Sequence, residues 1–133
     1  MLRIIHAVDA LVTVHVIAAV ALVASAVIVG AWGIWRSRVI ARPVSSRESR
    51  AFAQVLQLSH TLVLATGLLG IALLVEGHRA HDPLHARVYG PFMVVAIVAA
   101  YGYRTDNARA NVRVFAIAGL VIAALGARAF YTA

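Results

Sequence analysis

The sequence has no cysteine, no lysine, three prolines and only five acidic residues. Without cysteine there are no disulfides, thiolate metal sites or iron–sulfur clusters. Without lysine, all twelve basic residues are arginine, and the formal net charge is +7. Motifs for group-transfer chemistry are missing too: there is no glycine-rich phosphate loop, paired carboxylate set or serine nucleophile with a base. Hydrolytic or transferase chemistry is therefore not expected. Whether the chain is an enzyme stays open, with an electron-transfer or accessory subunit favoured over a stand-alone catalyst.

What is present is apolar. Of the 133 residues, 62% are hydrophobic and 13% charged, with a mean hydropathy of +0.88. A soluble domain is nearer half apolar and about a quarter charged. A chain this short has too much surface to hide the excess, which must face lipid. The arginines cluster between apolar runs, so topology accounts for them better than nucleic acid does. The expected fold is all-α, one transmembrane domain over residues 1–133: a four-helix antiparallel bundle running up-down-up-down through short loops. Spans are expected at about 10–35, 52–75, 84–103 and 112–131, each near the ~20 residues that a crossing needs. The first run, Ala10 to Trp35, is longer than a signal-peptide core and reads as a retained helix.

Helix ends carry recognisable chemistry. Helix 1 should stop before Pro43, because proline disfavours helix in the residue before it. Ser45 and Glu48 read as a capping box opening helix 2, which should end near Gly77. Asp82-Pro83 reads as a cap and first helical position for helix 3, expected to reach about Arg104. Thr105-Asp106-Asn107 forms a turn with capping residues before helix 4, expected to end near Tyr131.

The helix 1–2 and 3–4 loops and their flanks hold eight arginines, against four at the other end. The positive-inside rule then places both termini on the outer side of a bacterial inner (plasma) membrane. Trp32, Trp35, Tyr101 and Tyr103 suit the inner interface, and Tyr89, Phe92, Phe130 and Tyr131 the outer one. Small residues at Ala18, Ala21 and Ser25, at Gly67 and Gly70, and at Gly119, Ala123 and Gly126 suit close helix approach. An alanine-rich composition gives the same pattern.

Ionisable groups inside a membrane are costly and tend to be functional. There are six histidines, at 6, 15, 60, 78, 81 and 85. Levelling the helices at their turns puts His85 at the depth of about residue 10, between His6 and His15. Each offset is ~6–8 Å at about 1.5 Å per residue. His15 and His85 are the expected ligands of a haem iron, with His6 in reserve. His60 finds only Ser25 and Tyr101 at its depth and reads as a structural histidine, though it stays among the candidates. Gly70 and Ala72 should lie opposite His15, and Gly126 and Ala127 opposite His85, leaving room for a porphyrin. Arg79, Arg87 and Arg128 sit just beyond, suited to propionates. Two other readings stand beside this one. His78, His81 and His85 have spacing suited to copper or zinc, and the same residues also suit a hydrated loop. Asp9 is placed to bond His6 or accept from a ligand, and Glu76 to pair with Arg79.

Ile5-His6-Ala7, Ser59-His60 with Thr66-Gly67, and Leu84-His85 with Gly90 resemble segments of small bacterial four-helix membrane proteins. These are b-type cytochromes, haem A synthase halves and copper-resistance D-like proteins. The resemblance covers the four-helix pattern of the whole chain but lacks the haem A synthase signature of glutamate four residues ahead of His-Arg. It implies histidines on facing helices that bind haem or copper. The expected function is a small b-type cytochrome with haem b, or a haem-bearing subunit of a respiratory or photosynthetic complex. It would move electrons between quinone and a periplasmic-side partner. The alternative is an accessory or assembly subunit with no cofactor of its own. Expected partners are the lipid bilayer, a larger membrane complex and quinone, with no nucleic acid.

Overall fold

The computed structural model describes residues 2–38 and 45–133, with the side chains of helix 1 described from residue 8. Four antiparallel helices form an up-down-up-down bundle: α1 (Leu2–Arg38), α2 (Ser46–Val75), α3 (Gly90–Gly102) and α4 (Ala108–Phe130). A π-helical turn, His85–Tyr89, leads directly into α3. Helices α1, α2 and α4 are each long and apolar enough to cross a membrane. The chain is a multi-pass helical membrane protein.

The caps explain most of the boundaries. The Ser45 hydroxyl accepts from the Glu48 N–H at 3.1 Å, and the Asn107 side chain accepts from the N–H groups of Arg109 and Ala110. Helix α2 ends in a Schellman turn: Gly77 adopts φ +84, and His78 N–H donates to Leu73 O at 2.9 Å. The Asp82 carboxylate caps Leu84 N–H at 2.8 Å. The expected stop before Pro43 lies outside the described residues.

The π turn has a sequence cause. Pro91 has no N–H to donate to the carbonyl of Arg87, and its ring crowds that oxygen. Widening the preceding turn relieves the crowding. The α-helical part of α3 is thereby cut to 13 residues.

Packing is tightest between α1 and α4, next between α1 and α2, and sparse between α2 and α3. The α1–α4 seam is built from small residues. A Cβ on Gly33 would stand 2.6 Å from Ala116 Cβ, and one on Gly126 2.6 Å from Val23 Cγ2. In lipid, such close approach supplies dispersion contacts where the hydrophobic effect cannot. Gly119, Ala123 and Gly126 serve this seam as expected. The α1 residues nearest a Cβ on Gly119 or Gly126 are Leu22, Val23, Ala26, Val29 and Gly30, and Gly33 faces Ala116, whereas Ala21 is exposed.

Large apolar side chains point outward on every helix, among them Ile17, Leu68, Val98 and Leu120. That is the pattern of a surface solvated by lipid. Trp35, Tyr101, Tyr103, Phe92, Phe130 and Tyr131 are exposed near the two ends. Tyr89 is not: it is buried in the core beside Leu22 and Met93.

At the arginine-rich end, Arg36 is tied down. It donates to Ser49 Oγ at 2.9 Å, pairs with Glu48 at 3.8 Å and stacks on the Phe52 ring. Arg109 Nε donates to the Ser37 carbonyl at 2.9 Å. Among the described residues Arg36–Glu48 is the one ion pair, so Glu76, exposed, does not pair with Arg79.

Candidate functional site

A cavity of ≈ 290 Å³ opens at the end of the bundle away from the arginine-rich loops. Its walls come from the first half of α1, the second half of α2, the π turn with the start of α3, and the last turns of α4. The sparse α2–α3 contact leaves this space, and glycines enlarge it. A Cβ on Gly67 or Gly90 would meet nothing within 4 Å. The lining is mainly apolar, with a few polar groups, as small-molecule sites are.

Two histidines converge on it from different helices. The rings of His15 on α1 and His85 at the head of the π turn lie 6.4 Å apart between centroids, tilted by 59°. From sequence, His85 is expected between the levels of His6 and His15, about four or five residues from each; the structure sets it beside His15. The His15 Cε1 atom would sit 3.4 Å from a Cβ on Gly70, so the glycine makes room for this imidazole. Ala72, offered alongside it, is not part of the lining.

Their surroundings differ. His85 Nδ1 lies 3.1 Å from Ala129 O and 3.4 Å from Thr132 Oγ1. The Thr132 hydroxyl donates to the same Ala129 carbonyl at 3.0 Å. A carbonyl can only accept, so Nδ1 carries the proton, and in the neutral ring Nε2 keeps a free lone pair. His15 Nδ1 is buried with no hydrogen-bond partner among the described residues. So is Thr66 Oγ1, which also belongs to a cavity-lining residue. Buried polar atoms left orphaned in this way call for a partner.

The other expectations divide. His60 is remote from the cavity, packed against Tyr101 and Phe115 at centroid distances of 5.8 and 6.1 Å. Tyr101 is the neighbour that the depth argument named; Phe115 is an addition from α4. The side chain of His6 lies outside the described residues. Asp9 is exposed, and only its backbone carbonyl is engaged, by Thr13. Gly126 does border the cavity, but Val23 fills the space its missing side chain leaves. Ala127 points outward; the α4 residue that meets His85 is Ala129. His78 reaches the cavity rim and His81 does not. Among the described residues no three His, Cys, Asp or Glu side chains converge as metal ligands, so the His78–His81–His85 cluster does not form.

Sequence reading missed the π turn and Tyr89 in the cavity wall. Pro91 was the available signal for both.

No family model, curated protein or solved structure matches this chain. The fold and the site define a helical membrane protein with a histidine-paired, glycine-enlarged cavity near one membrane face.

Proposed function

We propose that this chain is a small b-type membrane cytochrome, or the haem-bearing subunit of a larger redox complex. It passes electrons between quinone and a partner on the outer side of a bacterial inner membrane. His15 and His85 hold the haem. The observation that carries the reading is their convergence, from two helices, on one apolar cavity. The ring centroids of His15 and His85 lie 6.4 Å apart, close enough that the two imidazoles would hold one metal centre between them.

The donor set also selects the group. A bare zinc or copper ion needs three or four protein ligands, and among the described residues no three such side chains converge; His15 and His85 alone face each other, with His78 at the rim. A metal that brings four equatorial nitrogens of its own needs two. Bound haem supplies one-electron redox chemistry. The chain's residues do the rest. Apolar walls exclude water, Gly67 and Gly90 leave space for a flat ring, and His85 Nδ1 is held by a backbone carbonyl, which fixes its tautomer. Arg79, Arg87 and Arg128 are exposed at the same end and supply positive charge for propionates. The arginine asymmetry supports placing that end outside.

The test is a visible spectrum of the full chain purified from a haem-supplied host. A Soret band that sharpens on reduction is expected. Its absence, in the isolated protein and in any complex that co-purifies with it, overturns the cytochrome. It leaves the accessory-subunit reading.

A further inference from the structure

The two histidines are not equivalent, and the difference is built by the last turn of α4. We infer that this turn is a clamp that makes His85 the anchoring ligand and leaves His15 exchangeable. The inference rests on the haem reading and deepens it.

The clamp is a closed set of contacts. Ala129 O stands where the final carbonyls of α4 have no onward helical partner, at the negative end of the helix dipole. It accepts from Thr132 N–H at 3.1 Å and from the Thr132 hydroxyl at 3.0 Å. His85 Nδ1 approaches the same oxygen at 3.1 Å. With its proton committed to Ala129, the Thr132 hydroxyl turns a lone pair toward His85 Nδ1, 3.4 Å away. Thr132 O accepts in turn from Asp82 N–H at 3.3 Å, and Asp82 O accepts from His85 N–H at 3.0 Å. The loop carrying His85 and the turn fixing its ring are thus tied at side chain and backbone. Thr132 is 4% exposed, so water does not compete for these bonds. Thr132 is therefore a positioning residue for His85. It holds the Ala129 carbonyl and fixes Nε2 as the bare nitrogen left for the cavity.

His15 has no such device. Its Nδ1 is buried without a partner, and the ring rests against Gly70, which offers no side-chain acceptor. If His15 binds through Nε2, its Nδ1–H stays unsatisfied in an apolar wall. If it binds through Nδ1, the Thr66 backbone is left as the group placed to orient the ring, with no second tie of the kind Thr132 gives His85. Its bond to iron is therefore supported by less than the His85 bond. A small neutral ligand that enters the cavity accordingly displaces His15 rather than His85.

The experiment has two arms on the full chain. In haem-free protein with 15N-labelled histidine, the His85 resonance, assigned by its loss in His85→Gln, should report Nδ1–H and a bare Nε2. Thr132→Val should blur that preference, and Thr132→Ser should keep it. An Nε2–H tautomer in the wild type overturns the clamp. In haem-loaded protein, His85→Ala should lower haem affinity at least tenfold more than His15→Ala, and Thr132→Val should lower it by ~10–100-fold. Carbon monoxide should bind the reduced wild type, and the spectrum of the complex should match that of His15→Ala with carbon monoxide. Equal losses for the two alanine variants, or the reverse order, overturn the assignment of anchor and exchangeable ligand. Wild-type protein that takes up no haem overturns the haem reading and the exchange with it, while the tautomer result still decides the clamp.

Discussion

A Cβ on Gly119 would stand 3.1 Å from the carbonyl oxygen of Ala26 and 3.2 Å from the Gly30 amide nitrogen, so α4 and α1 meet backbone to backbone. A side chain there would press on the facing backbone, which would have to give by a few tenths of an ångström. Gly119→Val and Gly33→Val should each destabilise the bundle, by about 1–3 kcal/mol as overpacking costs in well-packed cores. Denaturant titration of the protein in detergent micelles, followed by far-UV circular dichroism, measures this. Gly67→Ala, with open space at its Cβ, is the control and should leave the midpoint in place. Equal effects at Gly67 and Gly119 would refute the backbone contact.

The same glycine type does opposite work at the cavity. Leucine at Gly67 starts from a Cβ in open space and should extend into the cavity. In Gly67→Leu the fold should persist, gaining up to ~1 kcal/mol from the better helix former. Haem uptake should fall at least tenfold. A Gly67→Leu protein with an unchanged Soret band would mean that the haem lies elsewhere.

Much of this was legible from residues whose meaning is local. Ser45, Asn107 and Asp82 cap because their side chains reach the next free N–H groups, and that reach is set by the chain itself. Short loops, which force neighbouring helices into level antiparallel pairs, brought His85 to within about a turn of both His6 and His15 in depth, and the structure pairs it with His15. What stayed hidden depends on rotation about a helix axis. Pro91 widens the turn before it, and one added residue swings later positions by about 100° at ~3.6 residues per turn. That is enough to send Tyr89 inward where an interfacial position was expected. Gly30 and Gly33 were missed for a related reason. A glycine in a long apolar helix does not say which neighbour it faces, and α1 touches both α2 and α4.

Orientation gives an independent prediction. Eight arginines at the loop end against four at the cavity end are the basis for the proposal that the termini lie outside. An alkaline phosphatase fusion at Ala133 should be active, and one at Ser45 inactive. The reverse pattern would put the histidine cavity on the cytoplasmic side, with its redox partner there as well.

His60 lies apart from the proposed haem site. His60 is half-buried between the rings of Tyr101 and Phe115, at 5.8 and 6.1 Å, toward the arginine-rich end of the bundle. Tyr101 and Phe115 themselves pack edge to face at 5.1 Å, so His60 is the third member of an aromatic cluster. Its neighbours ask for a flat ring rather than an ionisable one, and it makes no hydrogen bond to the described residues. His60→Phe keeps the ring and nearly the volume, and should change stability by less than ~1.5 kcal/mol. It should leave the Soret band and the reduced spectrum as they are. His60→Ala removes a ring from the cluster and should destabilise the bundle, again with the haem spectrum intact in the folded fraction. Loss of haem from a folded His60→Phe protein, with His15→Ala spectrally silent, would move the ligand pair toward the arginine-rich end. The cavity near Gly67 would then belong to something else.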